Sequence, residues 1–520
     1  MILITSAAYV NPSLASEMGK LPPCMLPVQN KRLYMHQLSL FDSCDETIYI
    51  SLPASYELTP YDKEQLSGRG VNVLSVPDGL SLGQSIIYCL NIIGRFDETL
   101  YLLHGDTLFN SISMQPDSYV VAKAEDNYAW AAVDAVDETV YAGFFAFSTP
   151  SLLIKSITEQ HNDFMGGVVN YGTVKPLTRV VSDRWMDFGL VNTYYRSISN
   201  LTTERAFNSM KIDRFSIRKS SRDINKMRAE SSWIQSLPKN LRHYAPAIWD
   251  SGDDGTTGYY EMEYYYLTSL SNLFVFCRHP QFVWADILTA CQTFIADVAK
   301  YRPTNVAEVQ RIARSNNDLY LPKTLKRLSE YCAANGLSMD QRWVVNGEPV
   351  PSLREIVTET GLMIASDKSE FVTLMHGDFC FSNILYDFKS KSVKVVDPRG
   401  VDNDGNQSIY GDLRYDVGKL AHSILGLYDF IIAGMFRYSE RSPYDITLEF
   451  DVTDGIRLTQ EKFKSLAFAG YSIDELSVYP VMIHLFLSML PLHSDNVERQ
   501  KAMLANALRL YAEIKTSNNQ

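Results

Sequence analysis

Apolar and polar residues alternate along the first 200 positions in a way that predicts short strands separated by helices. Strands are predicted at Ile2–Ile4, Thr47–Ser51, Val71–Val76, Thr99–Leu103 and Val140–Phe147. Between the third and fourth of these, apolar residues recur with helical spacing from Leu82 to Ile93. This alternation predicts a mostly parallel α/β sheet, in which ligands bind outside the carboxyl ends of the strands.

The pattern changes after a polar segment that runs from Ser197 to about Arg205. Beyond it lie a small mixed region and then a largely helical one, with amphipathic stripes such as Leu420–Leu425 and Met503–Leu510. We therefore predict a first domain over 1–200 and a second domain made of two parts, 201–275 and 276–520.

Charge and cysteine content narrow the classes of function. The 520 residues contain 48 Lys and Arg against 60 Asp and Glu, a net charge of −12, which argues against broad binding to nucleic acid or anionic membrane but leaves a local basic groove possible. The seven cysteines form no C-x-x-C pair, so reduced thiols are expected.

Met1 leads directly into apolar Ile2–Ile4, which predicts a core strand rather than a signal peptide. The apolar stretch Val478–Leu490 is too short to span a bilayer, so we expect a cytoplasmic protein without membrane insertion.

The strongest chemical signal is a loop with an aspartate and an asparagine five residues apart, followed by a second aspartate after a strand pair. These residues are Asp378 in His376-Gly-Asp, Asn383, and Asp397 in Asp-Pro-Arg-Gly400. Phosphoryl transfer from ATP needs a carboxylate that accepts the proton of the attacking hydroxyl, and an amide and a carboxylate that hold Mg²⁺. The alternative is that the three residues form an ordinary helix cap and turns.

This segment resembles the H-G-D-x-x-x-x-N loop and D-x-x-G motif of the aminoglycoside phosphotransferase and choline kinase branch of the protein-kinase-like fold. The resemblance implies a bilobal α+β domain that binds ATP and Mg²⁺. It also implies a strand lysine on the phosphates, Lys219, paired with a helix glutamate, Glu230; Arg218 is a rival for the lysine role.

The same resemblance implies further residues around the nucleotide. Glu261–Tyr264, with Glu263, would hold adenine through the backbone, although an ordinary strand explains the segment equally well. No glycine lies between Asn200 and Trp249, so Asn208-Ser209 would replace the usual glycine-rich lid. Asp416 would brace the catalytic loop, with Asp412 near it.

The first 200 residues resemble the sugar-phosphate nucleotidyltransferases. The resemblance rests on four segments: Leu21–Leu33 with its L-P-V core, Leu82–Ser85, His104-Gly-Asp106, and Trp185-Met-Asp187-Phe-Gly189. It implies a Rossmann-like α/β domain in which Asp106 and Asp187 bind a metal ion. The overall fold class predicted is thus an α/β Rossmann-like nucleotidyltransferase-type domain followed by an α+β bilobal protein-kinase-like domain.

The first domain departs from the family pattern where phosphates would bind. Tyr9, Val10 and Asn11 follow Ala7-Ala8 in place of glycines, and the two positions of the family's cations hold Ser13 and Pro23. A loop without glycine cannot bring its N–H groups close to a phosphate, and lost cations remove stabilisation of the leaving pyrophosphate. Lys20 or Lys31 could compensate. Asp106 and Asp187 either remain metal ligands or are strand-end and capping residues.

Three hypotheses follow. The leading one is an ATP- and Mg²⁺-dependent kinase that phosphorylates a hydroxyl of a sugar, polyol or amino alcohol for surface or capsular polysaccharide synthesis, with an inactive or repurposed first domain. The second is a bifunctional kinase and nucleotidyltransferase that makes a nucleotide-activated precursor. The third is a non-catalytic protein that binds nucleotides or sugars. The sequence determines neither the acceptor nor the oligomeric state.

Overall fold

A computed structural model describes residues 1–123, 132–134, 138–205, 210–364 and 369–518. The chain divides into two compact units. Unit 1 comprises Met1–Leu201 with Phe276–Arg278, and unit 2 comprises Thr202–Val275 with His279–Gln520. The short segment Phe276–Arg278 therefore groups with unit 1, although the sequence analysis placed it at the start of 276–520.

The first part of the chain contains strands and helices in alternation. The strands are β1 (Ile2–Thr5), β2 (Pro27–Val28), β3 (Lys31–Arg32), β4 (Ile48–Pro53), β5 (Asn72–Val76), β6 (Leu100–His104), β7 (Thr107–Phe109), β8 (Ser118–Lys123), β9 (Ala132–Asp134), β10 (Thr139–Phe147), β11 (Thr178–Val181) and β12 (Trp185–Asp187). The helices are α1 (Pro12–Met18), α2 (Leu33–Ser39), α3 (Pro60–Gly68), α4 (Leu82–Ile93), α5 (Pro150–Glu159), α6 (Phe164–Val174) and α7 (Val191–Arg205).

The central sheet of unit 1 has the order β11-β8-β10-β6-β1-β4-β5, and β9 adds to β10. Strand β1 lies between β4 and β6 and is parallel to both, while β10 runs antiparallel to its neighbours. The parallel strands are apolar because both faces of the sheet are covered, and β1 is buried along its whole length. This topology confirms the predicted α/β class.

Helix α4 shows how the sequence sets an element that covers the sheet. Ser81 and Gln84 form a reciprocal capping box at its start, and Gly94 adopts a left-handed conformation at its end. Its apolar stripe, including Ile86 and Leu90, packs into the core cluster that contains Leu3 and Leu102. The predicted helix Leu82–Ile93 is confirmed.

The second part of the chain is richer in helix. Its strands are β13 (Met210–Ile212), β14 (Ser216–Ser221), β15 (Ile248–Asp253), β16 (Gly258–Glu263), β17 (Thr268–Ser269), β18 (Arg342–Val345), β19 (Glu348–Ser352), β20 (Val372–Leu374), β21 (Ile384–Asp387), β22 (Ser392–Val395), β23 (Tyr410–Asp412), β24 (Arg437–Ser442), β25 (Asp445–Glu449), β26 (Ala467–Phe468) and β27 (Tyr471–Ser472). Its helices are α8 (Ile224–Gln235), α9 (Leu270–Phe276), α10 (Gln281–Val298), α11 (Val306–Leu319), α12 (Leu321–Asn335), α13 (Leu353–Met363), α14 (Leu413–Ile424), α15 (Tyr428–Ile432), α16 (Asp454–Lys464), α17 (Val478–Met489) and α18 (Val497–Asn518).

Unit 2 has a sheet part and a helical part. The sheet is antiparallel with the order β13-β14-β16-β15, and α8 packs against it. In the helical part, α17 is apolar on all sides because α12, α13, α14 and α18 surround it. The predicted α+β class is confirmed for this part of the chain.

Two chain-wide observations complete the fold. Within the described residues, no helix combines the length and apolar character needed to cross a membrane. All seven cysteines lie in the described ranges as free thiols.

Candidate functional site

The loop after β20 brings Asp378 and Asn383 into direct contact. Phe381–Asn383 forms a single 3-10 turn, and this turn directs the Asn383 amide back toward the start of the loop. Its Nδ2 donates to the Asp378 carboxylate at 2.9 Å and to the Asp378 carbonyl at 3.0 Å. The five-residue spacing therefore allows Asn383 to bond Asp378 and close the loop.

The hairpin β21–β22 brings Asp397 to the same place. Ile384 at its start pairs with Val395 at its end, and the Val396 N–H donates to the Asn383 carbonyl at 3.0 Å. The His376 Nε2–H donates to the Val396 carbonyl at 3.0 Å, and burial lowers the pKa of His376 to about 4, which keeps the ring neutral. Asn383 and Asp397 therefore lie at one end of the hairpin, beside Asp378.

Asp416, in the first turn of α14, anchors the loop that contains Asp378 through main-chain hydrogen bonds. Its carboxylate accepts the main-chain N–H groups of His376 at 2.6 Å and Gly377 at 2.8 Å. Burial, with a contribution from the charge of Asp378, raises the pKa of Asp416 to about 7, against the opposing effect of these N–H donors. Asp412 caps the same helix and forms a buried ion pair with Arg414 at 2.7 Å.

Lys419, one turn after Asp416 on α14, is a partner of Asp378 that the sequence analysis missed. Its Nζ lies 2.8 Å from Asp378 Oδ1, and its side chain is 13% exposed against 40% for Asp378. Burial favours the neutral carboxyl, but the Lys419 ammonium outweighs it and lowers the pKa of Asp378 below its ordinary value. The signal in the sequence is the i, i+3 spacing of Asp416 and Lys419, which places both on one face of a helix.

Lys219 joins the sheet part to this loop. Its Nζ lies 3.1 Å from Glu230 Oε2 and 2.7 Å from Asp397 Oδ1. Tyr260 OH also donates to Glu230, at 2.7 Å. Burial lowers the pKa of Lys219, but the charges of Asp397 and Glu230 outweigh burial and raise it above the ordinary value. The structure thus pairs the strand lysine with the helix glutamate chosen from the sequence.

Four other residues were predicted to lie around the nucleotide: Arg218, Glu263, Asn208 and Ser209. Arg218, the rival of Lys219, stacks its guanidinium 3.7 Å from the centre of the Tyr259 ring, because alternate strand residues face opposite sides. Glu263 ends β16, and its N–H donates to the Ala247 carbonyl at 2.9 Å, so its adenine-binding role stays a prediction. Asn208 and Ser209 lie outside the described residues.

The donor atoms at the end of the hairpin suit a hard cation. Asp397 offers a carboxylate that is 36% exposed, and Asn383 offers an amide oxygen. Mg²⁺ prefers oxygen ligands and is usually held by one or two protein groups together with waters and substrate phosphates. Within the described part of the chain, no group of three or more His, Cys, Asp or Glu residues is arranged to hold a metal ion. Asn383 and Asp397 fit Mg²⁺ that arrives with a nucleotide.

Gly400 fixes the segment after Asp397 against α8. Its φ is +65°, and a Cβ at this position would lie 2.1 Å from the Ala229 carbonyl oxygen. Ala229 immediately precedes Glu230 on α8. Only glycine permits this approach, so the D-x-x-G glycine sets the distance between the Asp397 segment and the helix that carries the partner of Lys219.

In unit 1, Asp106 and Asp187 converge on Gly189. A Cβ on Gly189 would lie 2.6 Å from Asp106 Oδ2 and 3.4 Å from Asp187 Oδ1. The Asp187 side chain is buried and accepts a hydrogen bond from Thr193. It also lines a cavity of about 320 Å³ together with Lys123 and Arg196. The two carboxylates chosen from the sequence are therefore neighbours.

The loop that replaces the glycine-rich segment of unit 1 is held by side chains. Tyr9 OH and Ser55 Oγ are 2.7 Å apart, and Ser55 donates in turn to Asp78. Lys20 Nζ lies 4.1 Å from the centre of the Tyr9 ring. Asn11 caps α1 and donates to the Gly189 carbonyl at 2.5 Å. Lys20 is thus near the loop, and Lys31 is exposed on β3.

Comparisons with known proteins gave matches only at the level of three-dimensional structure. No protein-family model and no curated protein sequence matches the chain.

Some of the similar solved structures carry the names of the two groups that the sequence resembles. A protein described as a glucose-1-phosphate thymidylyltransferase from Bacillus anthracis, solved with sucrose, is 14% identical over 38% of this chain and 94% of its own, with a TM-score of 0.31. A thermostable mutant of aminoglycoside phosphotransferase APH(4)-Ia is 12% identical over 61% and 98%, with a TM-score of 0.36. Aminoglycoside phosphotransferase APH(3'')-Id from Streptomyces rimosus, solved with ADP and streptomycin, is 12% identical over 54% and 97%, with a TM-score of 0.27. At these identities the activity of this chain must be inferred from its own side chains.

The close approach at Gly400 can be tested by substitution. Gly400→Ala should lower the free energy of unfolding of unit 2 by about 1–3 kcal/mol for the left-handed backbone and by about 1–3 kcal/mol more for the clash with Ala229. Gly405→Ala is the matched control, because Gly405 also has a positive φ but has no neighbour within 4 Å of an added Cβ. Urea unfolding measures the free energy of unfolding of both variants, and hydrogen exchange measures the stability of α8 in each. Equal destabilisation by the two substitutions would contradict the close packing.

Proposed function

We propose that unit 2 is an ATP- and Mg²⁺-dependent kinase that transfers the γ-phosphoryl group to a hydroxyl of a small molecule such as a sugar, polyol or amino alcohol. The observation that carries this proposal is the continuous set of contacts from Asp378 through Asn383 to the Asp397 segment, and from Asp397 to Lys219 and Glu230. A cap or a turn explains each residue alone but not their convergence. We place the reaction in the supply of precursors for a surface polysaccharide, the setting that the combination of the two resemblances implies.

In this proposal Asp378 is the general base. Lys419 keeps its carboxylate ionised, and the Asn383 amide fixes its orientation. Asp378 accepts the proton of the acceptor hydroxyl while the hydroxyl oxygen bonds to the γ-phosphorus and the bond from phosphorus to the leaving ADP oxygen breaks. Lys219, oriented by Glu230, neutralises the phosphates of ATP. Asn383 and Asp397 would hold Mg²⁺, which supplies charge neutralisation on the phosphates.

Asp378→Asn tests the base. The amide cannot accept the proton, so turnover with ATP should fall by about 10²–10⁴-fold, while ATP affinity stays within about twofold because the phosphate clamp is intact. The measurement is ADP formation across a panel of sugars, polyols and amino alcohols, with mass spectrometry of the products. Asp286→Asn is the matched control, since Asp286 forms an exposed ion pair with Lys391 and is not part of the proposed site. Full turnover by Asp378→Asn would exclude Asp378 from the mechanism.

The charge of Lys419 should appear in the pH profile. Because the Lys419 ammonium lowers the pKa of Asp378, Lys419→Met should raise that pKa. The base acts when ionised, so the acidic limb of kcat/KM should move to higher pH by the same amount. Lys419→Arg keeps the charge and should leave the limb near its original position. An unmoved limb in Lys419→Met would show that another group titrates there.

A second function is favoured by the convergence of Asp106 and Asp187 on Gly189 beside a cavity that Lys123 and Arg196 also line. Unit 1 would then transfer a nucleotidyl group to a phosphorylated compound and release pyrophosphate. The two carboxylates would bind the metal ion, and Lys123 or Arg196 would take over the charge that Ser13 and Pro23 do not supply.

This second function predicts pyrophosphate release that depends on Asp106. The test incubates the full chain with the phosphorylated product and each of CTP, UTP, GTP, ATP and dTTP in turn, and Asp106→Asn should abolish any release because it removes a metal ligand. Asp378→Asn, supplied with product made by the wild type, is the control and should release pyrophosphate normally. If no pyrophosphate is released with any of the five nucleotides, unit 1 does not have this activity.

A further inference from the structure

Two helices of unit 2 bring lysines to the neighbourhood of Asp378. Tyr320 immediately precedes α12, and its ring centre lies 6.5 Å from that of Tyr415 on α14. One turn further along these helices lie Lys323 and Lys419 respectively. The ring contact places the start of α12 beside α14, and Lys419 of α14 bonds Asp378 at 2.8 Å.

Arg399 adds a third cation to this neighbourhood. Its main-chain N–H donates to the His376 carbonyl at 2.9 Å, and a Cβ on Gly377 would lie 2.5 Å from the Arg399 Cβ. Its guanidinium carbon lies 5.7 Å from the centre of the Tyr415 ring. Arg399 is thus held between the catalytic loop and α14, two residues after the proposed metal ligand Asp397.

The half-buried Lys323 is surrounded by positive charge. Burial and, to a smaller extent, the neighbouring charges of Arg399, Arg327 and Lys419 together lower its pKa to about 7. Arg327, one turn later on α12, donates to the Ser488 carbonyl at 3.0 Å. Among the described residues, none of Lys323, Arg327 and Arg399 has a carboxylate within ion-pair distance, and a lysine so placed gains most from an anion that is not part of the protein.

The contrast with the rest of the site is informative. Lys219 is balanced by two carboxylates and Lys419 by one, so the chain pairs the cations that its own architecture needs. The chain as a whole carries a net charge of −12, so a local excess of positive charge is not a consequence of its composition. An unbalanced group of cations beside a base attracts an anionic ligand to that place.

We propose, on the basis of the kinase function proposed above, that the acceptor carries an oxyanion, either a carboxylate or a phosphate, in addition to the hydroxyl that is phosphorylated, and that Lys323 and Arg399 hold this oxyanion. The planar guanidinium of Arg399 can donate two parallel hydrogen bonds to either group, and the Lys323 ammonium adds a point charge. The substrate is then a hydroxy acid or a sugar or polyol phosphate, not a cationic amino alcohol.

The first test compares acceptors that differ only in charge. Glycerate is paired with glyceramide, glycerol 3-phosphate with glycerol, and glucose 6-phosphate with glucose, and ADP formation is measured with the full chain. We expect the anionic member of at least one pair to have a kcat/KM at least about 100-fold higher than its neutral partner, the size of one or two charge-assisted hydrogen bonds. The pairs separate a carboxylate preference from a phosphate preference. Neutral members that react as well as anionic ones would overturn the proposal and assign the cations to the γ-phosphate of ATP.

Substitutions on α12 test whether Lys323 is responsible for the preference for anionic acceptors. Lys323→Met should raise the KM for the anionic acceptor about 10–100-fold and leave the KM for ATP unchanged. Lys326→Met is the matched control, because Lys326 is exposed on the same helix and should behave as the wild type. An unchanged acceptor KM in Lys323→Met, or an equal rise in the KM for ATP, would overturn the assignment.

A binding measurement separates failure of this inference from failure of the kinase function. Calorimetry is done on Asp378→Asn saturated with ADP and Mg²⁺, using the same six acceptors and the double variant Asp378→Asn, Lys323→Met. Binding of anionic acceptors that is lost with Lys323 supports the oxyanion site even if the wild type shows no turnover, a result that would refute only the kinase function. Equal binding of neutral and anionic members, or no binding of any anion, would overturn the oxyanion site whatever the turnover.

Discussion

The ammonium of Lys219 joins three separate elements of unit 2. It is carried by β14, bonds Glu230 on α8 at 3.1 Å, and bonds Asp397 after β22 at 2.7 Å. A partly buried cation loses much of its hydration, so it is stable only while both carboxylates remain in place. The contact of Gly400 with Ala229 holds the same helix and segment together through packing alone. The position of β14 and α8 against the Asp397 segment therefore depends on this charge and on the close packing at Gly400.

The second constraint is the difference between two neighbouring carboxylates. Asp378 is partly exposed and paired with Lys419, which lowers its pKa, whereas Asp416 is buried under main-chain N–H groups, and burial raises its pKa to about 7. Environments that separate the pKa values of two acids also separate their roles. Asp378 is suited to accept a proton at neutral pH, and Asp416 is suited to hold the loop.

Much of this site could be predicted because the residues that form it lie close together in the sequence. Asp378 and Asn383 belong to one loop, and Asn383 and Asp397 are the two ends of one hairpin, so their order in the sequence fixes their proximity. Strand alternation likewise separates Lys219 from Arg218 once the strand is known.

The contacts that sequence reasoning missed depend on how helices pack. Lys419 follows Asp378 by 41 positions, and its signal in the sequence is its helical spacing from Asp416. Lys323 precedes Asp378 by 55 positions, and no spacing rule relates it to the base. Lys323 lies near Lys419, the partner of Asp378, because α12 and α14 both pack on α17, an arrangement produced by the whole apolar core of unit 2. The parallel core of unit 1 was predictable for the opposite reason, since β1 and its neighbours are nearly continuous apolar runs.

Unit 1 retains the acids of its resemblance while losing the cations, and this difference has a physical consequence. Asp106 and Asp187 both face Gly189, and the nearby loop offers Tyr9, bonded to Ser55, where glycine N–H groups would meet a phosphate. Two carboxylates repel a triphosphate unless a metal ion or other cations offset them. The cations in this part of unit 1 are Lys20, beside the Tyr9 ring, and Lys123 and Arg196, which line the cavity with Asp187. A ligand whose charge is offset by Lys123 and Arg196 would approach Asp187 from this cavity rather than from the loop that carries Tyr9.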